Sequence, residues 1–318
     1  MTPDALAIIL ACSSLGSPRA WSGTVKPFGP RGWADLGIDG PGRLLGLTAG
    51  EMGRLGVDAA AAERLATLLS RGAQLAFELD RLRSRGVWVT TLADQGYPAR
   101  WRERLGRDAP PVLFGAGDAG LLGRGGLAVV GSRDADAEAL AFAERLARAA
   151  AAAGELVVSS ASRGVDAAAM RAAIDGGGTV AAVLAEGVER RIRDVWTRTA
   201  VAGGRVVVVA PWHPAAAFSV GAAMAKHKLI YSLADAAVVV SSAAGTGGTW
   251  AGAVEAVEAG WVPVLVRGGP GVPHGNRALI ERGGLALPED AVSELVSVAA
   301  LVAAARPAHE QQSLSLAD

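Results

Sequence analysis

The chain has 318 residues, enough for a substantial core, and its 31 Lys and Arg balance 31 Asp and Glu to a formal net charge of zero. Apolar residues make up 51% and charged residues 19%, so composition does not mark a globally basic nucleic-acid binder and any basic surface has to be local. The single cysteine, Cys12, excludes an intramolecular disulfide and fits a reducing, cytoplasmic setting, and no apolar run reaches the length of a membrane span.

The first elements are helical. Residues 8–12, Ile-Ile-Leu-Ala-Cys, are too short and lack the preceding positive charge of a signal sequence, so a buried N-terminal helix is expected. Residues 15–42, rich in Gly, Pro and Trp, read as an irregular loop. Residues 44–55 and 58–82 read as helices, the second capped by Asp58, with Leu65, Leu68, Leu69, Leu75, Phe77, Leu79 and Leu82 at helical spacing. A short strand follows at 86–92, and then an irregular stretch with Tyr97-Pro98 and Pro110-Pro111. No internal repeat is present.

From residue 126 strands and helices alternate. Strands are expected within 126–133, where an apolar run from about Leu127 ends in the turn Gly131-Ser132-Arg133, and at 155–160, 179–185, 205–210, 236–242 and 262–267. Helices are expected at 137–153, 166–175 with Asp166 as cap, 194–202, 220–233, 249–259 and 276–282. Strands this apolar, separated by helices, imply a parallel sheet covered on both faces. The fold class is therefore α/β: an extended Rossmann-like parallel sheet with helices on both faces, plus a small N-terminal helical domain. The expected organisation is a helical domain at 1–86, the core at 87–300, and a polar, loose tail at 301–318.

The loops at the carboxyl ends of the strands carry the candidate site. Gly131, Ser132 and Arg133 follow the first core strand. Ser159, Ser160, Arg163 and Gly164 follow the second, with Ser162 between them. Thr246, Gly247, Gly248 and Thr249 open the helix after the fifth, and Lys226 and Lys228 lie in the helix before it. Hydroxyls, cations, free N–H groups and a helix N-terminus would converge on one rim, an array that binds phosphate without a base or a nucleophile. Each feature also has a plainer reading. The glycines fit a tight turn, Ser132 fits a helix cap, and Arg163 fits an ion pair with Asp166 or Asp136. Lys226 and Lys228 lie two apart and splay to different helix faces. Trp250 fits the core better than a base-stacking platform, and His213 and His227 fit surface or satisfied histidines better than catalysts. No catalytic constellation, cofactor motif or metal-ligand cluster is expected.

Several linked phrases resemble the DNA-processing protein A family, also called Smf, from about residue 44 to residue 290. They are Leu92, Tyr97-Pro98, Leu105 and Pro110-Pro111-Val112-Leu113-Phe114-Gly115. Next come Val130-Gly131-Ser132-Arg133, Ser159 to Asp166 with Arg163-Gly164-Val165-Asp166 at its end, and Gly177-Gly178-Thr179. The match is to a divergent member. Lys226-His227-Lys228-Leu229-Ile230 stands where the family has arginine-asparagine-arginine-isoleucine-isoleucine. Residues 219–225 resemble an insertion, Met170 replaces a histidine, Gly247 to Ala253 departs from a serine-glycine-serine phrase, and the usual C-terminal winged helix has no room.

The resemblance implies a cytoplasmic, non-enzymatic protein of DNA processing and recombination that binds single-stranded DNA. It further implies protection of incoming DNA in natural transformation, loading of the RecA recombinase, a homodimer, and no membrane partner. One alternative use of the same rim is a nucleotide-ligand sensor of a defence system. Another is a nucleotide phosphoribohydrolase, whose glycine-threonine motif resembles Gly247-Gly248-Thr249; Glu255 then lies six residues past Thr249 rather than close behind it.

Overall fold

The computed structural model describes residues 1–17, 25–292 and 296–305. The N-terminal segment holds α1 (Pro3–Cys12), α2 (Pro30–Ala34), α3 (Ala49–Arg54), α4 (Ala59–Leu69) and α5 (Gly72–Ser84). Next come β1 (Val87–Thr91), α6 (Ala99–Leu105) and β2 (Val112–Ala116). The outward arm of the core is β3 (Leu127–Gly131), α7 (Ala137–Ala152), β4 (Leu156–Ser159), α8 (Val165–Asp175), β5 (Thr179–Val183), α9 (Val188–Arg191), α10 (Val195–Ala202) and β6 (Val206–Ala210). The return arm is α11 (Val220–Leu233), β7 (Ala236–Ser241), α12 (Gly247–Ala259), β8 (Val264–Arg267), α13 (His274–Glu281) and β9 (Leu285–Leu287), closed by α14 (Val298–Ala304).

The strands form one sheet in the order β1-β2-β6-β5-β4-β3-β7-β8-β9. β1 pairs antiparallel with β2, and β2 antiparallel with β6. The remaining pairs are parallel. Alternate residues of each strand feed two separate apolar layers. Leu127, Val129, Val157, Val180, Val208 and Val238 face α7 and α8, whereas Ala128, Val130, Val158, Val183, Val209 and Val239 face α6, α11, α12 and α13. Burying each such valine contributes about 1.5–3 kcal/mol, which makes this register the stable one. The chain winds outward from β3 to β6 and then returns to β7 on the other side of β3. The strand order therefore reverses between β3 and β7, where open parallel sheets form a crevice at their carboxyl edge.

Most core elements match the sequence reading, and the differences have physical causes. The expected helix at 58–82 breaks at Ser70 and Arg71, because the buried Arg71 guanidinium turns inward to donate to the carbonyls of Leu68, Leu15, Ser13 and Leu10. Asp58 does cap α4, accepting from Ala60 and Ala61 N–H. The expected helix at 44–55 narrows to α3, which starts at a Thr48–Glu51 capping box. Asp166 is not a helix cap; that position belongs to Gly164. The strands expected at 86–92 and 205–210 are β1 and β6; β2, the three-residue β9 and the antiparallel pairing of β2 with β1 and β6 were not foreseen. Residues 301–304, the start of the expected tail, belong to the helix Val298–Ala304; the tail expectation for 306–318, and part of the loop expectation at 18–24, lie outside the described residues. No helix among the described residues is long and apolar enough to cross a membrane.

The N-terminal helices pack on the α7–α8 side of the sheet. Ile8, Ile9, Leu65 and Leu82 join the same apolar layer as Val112 and Phe114. The buried Glu189 carboxylate accepts from Arg81 at 2.6 Å and from Arg85 at 2.7 Å. Burial alone would raise this carboxyl, but the two guanidinium groups hold it below the usual range. We propose a folding boundary near residue 86 crossed by this interface. A chain starting at Gly86 should still melt cooperatively. It should do so roughly 10 °C lower, because Val112 and Phe114 lose cover and Glu189 loses its partners. Calorimetry of the truncated chain checks this, and a non-cooperative melt refutes the boundary.

Candidate nucleotide-binding rim

The rim is built on a buried ion pair. Asp166, in the first turn of α8, accepts from the Gly131 N–H at 3.3 Å and from the Ser160 hydroxyl. The Lys226 ammonium, reaching across from α11, lies 3.7 Å from the same carboxylate. It donates to Ser162 Oγ at 2.8 Å and to Ser160 Oγ. Lys226 is 1% exposed and Asp166 4%. Burial pushes the carboxyl up and the ammonium down from their ordinary values, and each charge opposes the shift of the other. The sequence reading made Lys226 a rim cation. Its ammonium is instead committed to this pair and forms part of the pocket floor.

Two glycines let the loops close over the pair. A Cβ on Gly131 would fall 2.6 Å from Val165 Cγ2, and one on Gly164 would fall 2.3 Å from the Ser132 carbonyl oxygen. Gly164 also holds φ +81°, a region that favours glycine. The β3 and β4 loops therefore touch backbone to backbone, and Val165 N–H donates to Ser132 C=O at 3.2 Å. Thr249 Oγ1 donates to Gly131 C=O at 3.0 Å and ties the start of α12 to the end of β3.

Above the pair lies a pocket of about 400 Å³ at the β3–β7 crevice. One wall is polar: Ser132, Arg133, and Thr246 to Thr249, where α12 begins. The Thr246 side chain caps nothing, so the first-turn N–H groups of α12 are left to the pocket. The other wall is apolar: Phe218, Val220 and Met224 are 49%, 74% and 42% exposed, unusual for large apolar side chains. The Arg133 guanidinium stands 5.4 Å from the Phe218 ring centroid, at the junction with an adjoining pocket of about 320 Å³. Arg163, Arg191 and Ser162 line that second pocket.

His227 packs into the floor between α11 and α12, its ring against Gly248 and Gly252. Its buried Nδ1 has no partner. Burial, with the Lys226 charge adding to it, brings its pKa down to about 4, so the ring is neutral at pH 7.

The structure brings together Gly131, Ser132, Arg133, Lys226, Thr246, Gly247, Gly248 and Thr249 in one pocket, and Ser160 and Arg163 in its neighbour. Gly164 shapes the loop beneath. Ser159 does not reach the rim; fully buried, it donates to Val129 C=O at 2.7 Å. Lys228 points from the other side of α11, as the two-residue spacing required. Arg163 pairs with Asp134 at 3.3 Å, not with Asp166 or Asp136, and stays 75% exposed. Glu255 is exposed on α12, outside the pocket lining. Among the described residues no group of three or more His, Cys, Asp or Glu gathers as a metal site.

Phe218, Asp166 and Asn276 were missed. A lone aromatic in the Pro- and Ala-rich stretch after β6 was the available signal for Phe218. The buried Asn276, which accepts from Ser242 N–H at 2.9 Å and so fixes the β7 loop, had none.

A family model described as DNA recombination-mediator protein A matches residues 88–297. The solved structure of DNA processing protein A from Streptococcus pneumoniae resembles this one with a TM-score of 0.62 at 21% identity, covering 87% of this chain and 98% of that one. DNA processing protein A from Helicobacter pylori, whose structure concerns its single-stranded DNA binding mode, gives a TM-score of 0.54 at 21% identity, covering 65% of this chain and 94% of that one. At these identities the likeness is one of fold. No curated protein matches the sequence.

Two outcomes test the floor of the rim. Lys226→Met leaves the Asp166 carboxylate buried and unpaired and should cost about 3–5 kcal/mol in denaturant unfolding. The double variant with Asp166→Asn should recover much of that loss; equal losses in the two proteins would show that the pair is not coupled. The second outcome concerns pH. His227 accepts a proton near pH 6.5 when unfolded and near 4 when folded, so stability falls as pH drops from 6.5 towards 4. His227→Gln should flatten that fall between pH 6.5 and 5, leaving the smaller same-sign contribution of His213, whose pKa burial also lowers.

Proposed function

We infer, since this chain belongs to the DNA recombination-mediator protein A family, that its rim holds single-stranded DNA one nucleotide unit at a time across the β3–β7 crevice. The observation that carries this is the two-sided pocket: the α12 N-terminus with its uncapped N–H groups lines one side, and the half-exposed Phe218, with Arg133 beside its ring, lines the other. A phosphate would sit against the Gly248 and Thr249 N–H groups and Arg133, drawn by the free donors and the positive helix end. A base would stack on Phe218, a contact that tolerates any base because every base has a π-face.

Arg163 and Arg191 in the adjoining pocket are paired with Asp134 and Glu186, and would serve the next phosphate by exchanging those carboxylates for it. Few cations take part, in keeping with a chain of zero net charge, so binding should be modest and its salt dependence shallow. The buried floor binds no phosphate directly; it holds the loops at the spacing the backbone needs. No general acid, base or nucleophile is required. In this reading the protein acts in the cytoplasm as a homodimer that shields incoming single strands during transformation and passes them to RecA. The family membership supports that role, and the rim supplies the strand-binding part of it.

The same pocket, at about 400 Å³, also has the size of a site for a single nucleotide ligand, the second reading. Fluorescence anisotropy with labelled oligo-dT across a salt series separates the two. Under the DNA reading, Arg133→Ala weakens binding and lowers the log–log salt slope by about 0.7. Phe218→Ala weakens binding about tenfold with the slope unchanged. Absence of oligo-dT binding at low salt, with nucleoside phosphates bound instead, would replace the first reading by the second.

A further inference from the structure

A second cleft, of about 530 Å³, lies against the face of α11 opposite the rim. Ala225, Lys228 and Leu229 sit one turn apart on that face, whereas Ala223, Lys226 and His227 face the rim pocket. The cleft lies where the N-terminal segment meets the ends of β2 and β6. Its wall is apolar and rigid: Phe28, Pro110, Pro111, Trp212 and Leu229. Three charged side chains stand among them. Arg31 holds both oxygens of the Asp108 carboxylate, at 2.7 and 2.8 Å, and keeps that carboxyl below its usual range. Lys228 has no carboxylate within ion-pair distance among the described residues, although its charge helps Arg31 hold the nearby Asp108 carboxyl low. The cleft thus presents an apolar cradle with one uncommitted ammonium and a net positive lining.

We propose that this cleft is a binding site for a small amphipathic anion, its apolar body against the Phe28, Pro110, Pro111, Trp212 and Leu229 wall and its carboxylate or phosphate head on Lys228. A volume of this size suits a body of about 10–20 non-hydrogen atoms. A nucleic-acid strand does not fit the same features. A polyanion needs repeated cations along an open track, and here one carboxylate and an apolar wall occupy that place. The headgroup is recognised as a point charge by a flexible ammonium, so carboxylate and phosphate monoester are both accepted. The site is independent of the rim and does not depend on DNA binding there.

The test uses the full chain and the fluorescent probe 8-anilinonaphthalene-1-sulfonate, an aromatic monoanion. Saturable binding of one probe per chain is expected. Dodecyl phosphate and dodecanoate should displace it, and neutral dodecanol should do so at least tenfold less well. Lys228→Met should weaken both anions about tenfold and leave dodecanol unchanged, because it removes the charge and keeps the stem. Ala225→Trp, on the helix surface facing the cleft, should abolish binding of all three while the thermal melt stays as in wild type. Phe218→Ala, on the rim, should change nothing. The proposal fails if no saturable binding occurs, or if Lys228→Met binds the anions as wild type does. It fails equally if oligo-dT displaces the probe, which would place the probe on the rim.

Discussion

The buried Lys226–Asp166 pair is the constraint on which the carboxyl rim depends. Four parts of the chain meet there: the last residue of β3 through its N–H, the serines after β4, the first turn of α8, and the middle of α11. An ion pair removed from water is held only while both charges and their hydrogen bonds stay matched, so geometry here is narrowly set. The backbone contact of Gly164 with the Ser132–Arg133 loop and the Thr249 bond to Gly131 build outward from it. The rim above is positioned because the floor below cannot shift without stranding a charge.

That arrangement also bears on how a chain with no net charge would present the proposed anion site. The strongest donors at the rim are not a crowd of lysines. They are backbone N–H groups at the start of α12, one arginine, and hydroxyls already aligned by the buried pair. The opposing apolar wall of Phe218, Val220 and Met224 lowers the local dielectric and gives a planar group somewhere to rest. Helix α11 shapes two chemically different clefts, with Lys226 in the buried pair on one side and Lys228 lining the cleft on the other. Two residues of spacing place them about 200° apart on a helix, enough to give two lysines unrelated roles.

Much of the fold was legible before any coordinates. Runs such as Val206-Val207-Val208-Val209 have no polar face, and only a sheet covered on both sides accommodates them. Their alternation with crossover helices such as α7 and α8, of 16 and 11 residues, set the parallel order, and α11 begins and ends at the expected residues. What stayed hidden was of two kinds. Short elements such as β9 carry too few residues to show a period. Breaks such as the one at Arg71 come from a guanidinium finding carbonyl groups more than fifty residues away, which no local pattern records.

The same division holds for the site. By itself the sequence determined that glycines, hydroxyls and cations cluster after apolar strands, because loop composition and strand period are local properties. It also determined that Lys226 and Lys228 part company, because helical geometry alone decides that. Only the tertiary structure decided that Ser159 is core, that Asp166 is half of an ion pair rather than a cap, and that Phe218 stands beside Arg133 at the pocket edge. Burial, charge pairing and the meeting of distant loops depend on which surfaces exclude water together, and that is a property of the folded whole.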